Sequence, residues 1–329
     1  MVGKGVKTLS LLSFLLGFFL LIVIVSLIEP AEILSSLRGI TVWQFLAILI
    51  LKLAFGILGA LKWRITLNFY RYDVSLLKLY LFKLASFAVE YFTQVIVIGG
   101  QVSGVVLLRG ERVPIKVGVA AMAIDSVTTS LVTITISFVA ATTFLLTRFS
   151  SGPVATLVLL VFTILFLFIF ALLAVTRIKP PIKRKSKASW WGRVETSIHE
   201  LVLTFSEFFR YNKRRVVYLI ALSLLGHTGV LLEIFLILLF LGSTVGVIDA
   251  AIIETGYTFA FLTPISQALG TAEAAGAFTL SLLGYSAALG VSLTLILRAR
   301  HFLVGLLGIG VLLWYGVIKL PKITSHERF

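Results

Sequence analysis

The chain has 329 residues, 59% of them apolar and only 13% charged, with a mean hydropathy of +1.08. A soluble domain holds roughly 45–50% apolar and about 25% charged residues, so this composition excludes a soluble enzyme, a disordered chain and a nucleic-acid-binding domain. The net charge of +15 sits between the apolar runs, where it reads as topology and contact with anionic lipid.

A bilayer is required, and only helices or closed barrels satisfy the backbone there. Apolar runs beyond ~18 residues select helices over barrel strands of about 10. The first run, 8–28, follows Lys4 and Lys7. It is longer than a signal-peptide core and lacks a small-residue cleavage site, so it reads as an uncleaved first span. A second span covers 41–61, and the segment 77–112 follows, interrupted by polar residues and glycine. Spans at 117–147 and 153–176 come next, then the polar segment 177–215. A span at 216–241, an interrupted segment at 250–285 and a last span at 286–316 complete the chain.

The segment 177–215 opens with Lys179-Pro180-Pro181 and the run Lys183-Arg184-Lys185, then carries Trp190-Trp191. Val194, Ile198, Leu201, Phe205 and Phe208 recur at helical spacing opposite Glu195, His199, Glu200 and Glu207. That pattern predicts an amphipathic helix on the cytoplasmic leaflet, anchored at the headgroup level and touching anionic headgroups.

Lysine and arginine placement sets the parity. The basic loops fall at 4–7, 62–78, 109–116, 177–215 and 319–328, and together they hold most of the 29 basic residues. The positive-inside rule puts all five, and both termini, in the cytoplasm. Both ends of 77–112 are then cytoplasmic, which one crossing cannot achieve. The segment must enter and return as a re-entrant hairpin, turning near Gly99-Gly100. By the same parity 250–285 starts and ends outside and turns between Pro264 and Gly270. The expected fold class is therefore an all-α polytopic membrane protein of six full spans and two re-entrant helical hairpins. Span, span, hairpin and span occur twice with opposite orientation, an inverted-topology repeat of 8–147 and 153–316. Gln101-x-x-Gly104 echoes Glu273-x-x-Gly276, and Gly118 echoes Gly290. Inverted repeats with broken helices facing the midplane are a transporter design.

An ionisable group at the bilayer centre costs roughly 2.5–3.5 kcal/mol on insertion scales and calls for a partner or a task. The apolar segments contain Lys52, Lys83, Glu90, Asp125, His227, Glu233, Glu254, Glu273, Arg298, Arg300 and His301. Lys52 and Lys83 are expected to snorkel or to pair structurally. Glu90 and Gln94 share a face, as do Arg298 and His301. In the repeat Asp125 and Arg298 fall at near-equivalent places, which predicts an Asp125–Arg298 pair between the halves. In the stretch Thr263 to Glu273, Pro264 ends one helix, Gly270 allows a tight turn and Thr271 caps the next helix, with Glu273 in its first turn. A phosphate suits an arginine beside a helix N-terminus. No Asp-x-Asp pair, His-x-x-x-His or His-Glu-x-x-His motif, P-loop or nucleophile elbow occurs, so the expectation is a protein without catalytic, metal or cofactor site.

Leu61-Lys62-Trp63-Arg64, Gly99-Gly100-Gln101-Val102-Ser103-Gly104 with Val113-Pro114, the trailing Asp125, and Pro264 through Glu273 followed by Arg298 resemble the flippase-like membrane domain that forms the transmembrane region of lysylphosphatidylglycerol synthases. Such domains also stand alone in archaea and bacteria. Gln101 and Gly104 depart from the acid and arginine that the family often has there. The chain ends at Phe329 without an aminoacyl-transfer domain, so a stand-alone form is expected. The resemblance implies movement of lipid headgroups between leaflets of the cell membrane, with a polyprenyl-phosphate sugar as one candidate cargo. The expected substrate-binding residues are Gly99, Gly100, Gln101, Asp125, Pro264, Gly270, Glu273, Arg298 and His301, and the expected partners are membrane lipids. The alternative is a non-transporting accessory subunit for a glycosyltransferase or a phospholipid-synthesis enzyme.

Overall fold

The computed structural model describes residues 2–93, 98–148, 206–261, 263 and 265–316, and positions 160, 163, 164 and 167. Ten α-helices follow in order: α1 (Val2–Leu27), α2 (Pro30–Arg38), α3 (Val42–Phe69), α4 (Leu76–Thr93), α5 (Ile98–Gly110), α6 (Ile115–Arg148), α7 (Lys213–Phe240), α8 (Val247–Ala260), α9 (Thr271–Leu282) and α10 (Ala287–Trp314). No strand occurs among the described residues. Among the described residues four helices, α3, α6, α7 and α10, are long and apolar enough to cross a bilayer. The chain is a multi-pass membrane protein, and exposed Leu224, Leu232, Phe302 and Leu306 present the apolar exterior that lipid requires. Exposed Trp43 and Trp314 stand at helix ends, where an interfacial aromatic belt places them.

The helix starts follow local chemistry. Thr41 and Gln44 form a capping box at α3: the Thr41 backbone N–H donates to Gln44 at 2.8 Å, and the Gln44 N–H donates to the Thr41 hydroxyl at 3.3 Å. Ser286 caps α10 by accepting from the Leu289 N–H at 3.2 Å. The short helix α2 was not foreseen. Proline at its first position starts it, and it turns the chain 89° from α1.

The interrupted segments are both helical hairpins closed at their open ends. In the first, α4 packs on α5, and Lys78 near its start meets Glu111 just past its end at 2.8 Å. Gly99 and Gly100 lie within the first turn of α5, and residues 94–97, between α4 and α5, lie outside the described residues. In the second, α8 packs on α9, and the Tyr285 hydroxyl donates to the Thr244 carbonyl at 3.0 Å. Here the break between Ala260 and Thr271 falls where Pro264 to Gly270 was read as the turn. Pro264 itself, the span at 153–176 and most of 177–215 lie outside the described residues. Of that last segment residues 206–211 are helical; Phe208 is fully buried against Phe69, Ile124 and Leu219, and Glu207 is exposed.

The packing of the bundle is reciprocal. The long helices α3 and α7 lie against each other. The first arm of each hairpin packs on the long helix that ends the other half, α4 on α10 and α8 on α6. Helices α9 and α10 approach until a Cβ added at Gly290 would stand 2.3 Å from the Gly276 carbonyl oxygen. Small residues permit such backbone proximity in membranes.

Candidate functional site

A cavity of about 470 Å³ opens within the bundle, lined by α3, α4, α6, α7, α8 and α10. Its floor is a charge cluster centred on Asp125 of α6. Lys62 of α3 meets Oδ1 at 2.5 Å, and Lys83 of α4 meets Oδ2 at 2.5 Å. The Trp63 indole N–H donates to Oδ2 at 3.0 Å. Lys62 also donates to the Thr129 and Ser223 hydroxyls at 2.6 and 3.0 Å, so its ammonium is saturated by three partners from α6 and α7. Lys83 makes one hydrogen bond and stands 4.9 Å from the Trp63 ring centroid, a cation–π distance. Gly59 admits it: a Cβ there would lie 2.8 Å from the Lys83 Nζ. Charges in a low-dielectric interior need partners. Lys62 and Lys83 thus share one carboxylate, and Glu90, a second carboxylate on the cavity lining, is an electrostatic neighbour of Lys83.

The second half supplies further cavity-lining acids. Glu233 of α7 pairs with Arg300 of α10 at 3.0 Å, and Arg300 reaches the ring of His301 at 2.9 Å. The His301 ring lies 5.6 Å from Phe87 and 6.2 Å from Tyr91. His227 of α7 meets Glu254 of α8 at 2.9 Å. Among the described residues no three metal-ligating side chains converge.

A separate cluster locks the turn of the second hairpin. Arg298 pairs with Glu273, whose side chain is fully buried, and donates to the carbonyl oxygens of Gln267 and Ala268 at 3.1 and 2.9 Å. Glu273 in turn accepts from the Gly270 N–H at 2.8 Å. Gln267 and Ala268 hold positive φ angles of 50° and 49°, conformations that need external support in non-glycine residues, and the Arg298 guanidinium provides it. Gln267 also donates to the Glu90 carbonyl oxygen at 3.0 Å, so the second turn touches the end of α4.

The expected pair between Asp125 and Arg298 is not formed. Asp125 is held by Lys62 and Lys83, and Arg298 by Glu273, so each is neutralised inside its own half. The nine residues read as one site fall in several places. Asp125 lines the cavity; Gly270, Glu273 and Arg298 build the locked turn; His301 sits beside Arg300. Gly99, Gly100 and Gln101 lie at the start of α5. Gly270 packs against α1, where an added Cβ would stand 2.5 Å from the Leu20 Cβ. In the sequence Lys62 reads as a family feature rather than as a site residue, and Lys83 as a group that snorkels or pairs structurally; the structure pairs it with Asp125. The available signal was the presence of two lysines and one aspartate in apolar surroundings.

Among the described residues, a helical bundle with long apolar helices around a charged internal cavity defines a polytopic helical membrane protein. The chain belongs to the family of the lysylphosphatidylglycerol synthase TM region, whose model matches residues 10–308. That membership ties it to lipid handling. No curated protein and no solved structure matches the chain.

Proposed function

We propose that the protein is a lipid translocase or scramblase that moves an anionic or polyprenyl-phosphate-linked headgroup between the leaflets of the cell membrane. The observation that carries this reading is the pair of lysines sharing Asp125 at the wall of the internal cavity. A phosphate crossing the hydrocarbon region needs a wet or charged path. Lys83 makes one hydrogen bond and is one quarter exposed at the cavity, so its ammonium has donors to spare for a headgroup phosphate while the tails stay in lipid. Asp125 keeps the lysines paired when the site is vacant. Arg298 and Glu273 act by fixing the second hairpin rather than by touching cargo. The reciprocal packing of α4 on α10 and α8 on α6 supports two inverted halves, 8–147 and 153–316. The basic segment 177–215 would hold the cytoplasmic surface to anionic lipid, with both termini on that side and no catalytic step.

Reconstitution into liposomes with fluorescent phospholipids tests the reading. Protein-containing vesicles should equilibrate phosphate-headed lipids faster than empty vesicles, and Lys62→Gln or Lys83→Gln should slow them. No acceleration by the parent protein overturns it. The second reading is an accessory subunit for a glycosyltransferase or a lipid-synthesis enzyme. It is favoured by the ion pairs Arg298–Glu273 and Arg300–Glu233 and by the close approach of His227 to Glu254. It predicts unchanged lipid movement and co-purification with such an enzyme.

A further inference from the structure

The cavity has a second cationic position. The α3 stretch from Leu51 to Trp63 contributes to its wall, with Lys52 near one end and Lys62 near the other. Ten residues of helix separate the two lysines, about 15 Å at ~1.5 Å per residue, roughly half of a ~30 Å hydrocarbon core. Lys52 is partly accessible, and the surface it exposes lines the cavity. Among the described residues its ammonium has no hydrogen-bond or ion-pair partner. Arg300 and Glu233 are its electrostatic neighbours. Arg300 already occupies Glu233 at 3.0 Å. Lys52 therefore stands beside an acid that another cation already holds, apart from the Asp125 cluster on the same cavity lining. One difference decides the argument: Lys62 and Lys83 both reach their carboxylate, whereas Lys52 does not reach Glu233. A membrane-embedded ammonium with no protein partner is costly, and an anion arriving through the cavity would complete it.

We infer that Lys52 is a second phosphate-binding station, which a headgroup released from Lys62 and Lys83 reaches along α3. The inference rests on the translocase reading and adds a two-step path to it: one phosphate, two positions about 15 Å apart. The shared chemistry is a phosphate group, carried by a lipid headgroup or by free phosphate.

Titration calorimetry of the full chain in detergent tests this with two probes, dihexanoylphosphatidylglycerol and inorganic phosphate. The parent protein should bind two equivalents of the short-chain lipid. Lys52→Gln should weaken one of the two by about tenfold or more, the scale of a lost charge-assisted hydrogen bond, and Lys52→Arg should retain both. Thermal unfolding of Lys52→Gln checks that it is folded, and the retention by Lys52→Arg separates charge from packing. One equivalent or none for both probes in the parent, or two undiminished equivalents in Lys52→Gln, overturns the station. Two equivalents of inorganic phosphate, one of them sensitive to Lys52→Gln, with no lipid binding would support the station and overturn the lipid path. Two lipid equivalents in a protein that moves no lipid in liposomes would support the station and sink the translocase reading alone.

Discussion

Lys62 of α3 meets Asp125 of α6 at 2.5 Å, and the same carboxylate takes Lys83 on its other oxygen. One acid therefore ties three helices around the cavity. The arrangement is unequal in a way that can be measured, because losing the acid strands two cations whereas losing either lysine leaves the acid paired.

Asp125→Asn should cost about 3–5 kcal/mol, the range for breaking a buried pair. Lys83→Gln should cost less, because that side chain is one quarter exposed and Lys62 remains on the acid. A double-mutant cycle between Lys62 and Asp125, followed by denaturant unfolding in detergent, should show a coupling of about 1–3 kcal/mol. The cycle between Asp125 and Arg298 should be additive. Coupling in the second cycle and none in the first would contradict the partners described.

Gly59→Ala places a Cβ 2.8 Å from the Lys83 Nζ, the flexible end of that side chain. The lysine should move aside while the backbone stays, so the cost to stability is small and the loss is local to the cluster. In lipid-transport assays Gly59→Ala should resemble Lys83→Gln. Combined with Lys83→Gln it should add nothing, since the obstructed group is already gone. An additive further loss would mean that Gly59 serves another contact.

Arg298→Gln removes the guanidinium that supports the carbonyl oxygens of Gln267 and Ala268. Amide hydrogen exchange should rise across the described part of the turn from Gln267 to Glu273 and stay unchanged in α3 and α6. Gly270→Ala acts on the same turn from the other side. Its φ is +78°, and the new Cβ would stand 2.8 Å from the Gly17 carbonyl oxygen. Backbone cannot yield as a side chain does, so this variant should lower the unfolding temperature and loosen α1. Unchanged exchange in Arg298→Gln would remove the turn-locking role.

The four long helices α3, α6, α7 and α10 could be read from the sequence because apolar length acts on each segment alone. Partner choice could not. Asp125 and Arg298 were joined across the halves because the repeat places them at equivalent positions. In the structure Arg298 faces the hairpin that precedes its own helix, and Asp125 faces α3 and α4. Position within a span gives depth, but the face a side chain presents depends on how neighbouring helices pack, and here that packing turns on notches such as Gly59. The helix α2 was missed because nine residues with Glu32 and Arg38 carry too little apolar pattern to stand out.

The orientation of the two hairpins is the prediction on which the inverted architecture depends. Each hairpin is closed at its open end, the first by Lys78 and Glu111 and the second by Thr244 and Tyr285. If the halves are inverted, those two ends lie on opposite surfaces of the membrane. Basic residues crowd the first end, with Arg109, Arg112 and Lys116, and none lies between Thr244 and Val247 at the second. The positive-inside rule then assigns the first end to the cytoplasm and the second to the exterior. The chain has no cysteine, so single cysteines report without background. Arg109 and Thr244 are both exposed, and Thr244 uses its backbone carbonyl, not its side chain, to close the hairpin. A membrane-impermeant maleimide applied to intact cells should label Thr244→Cys at once and Arg109→Cys only after permeabilisation. Labelling of both from outside would place the two hairpins on one surface. It would break the inverted relation between the halves and, with it, the physical basis for a path that serves both leaflets.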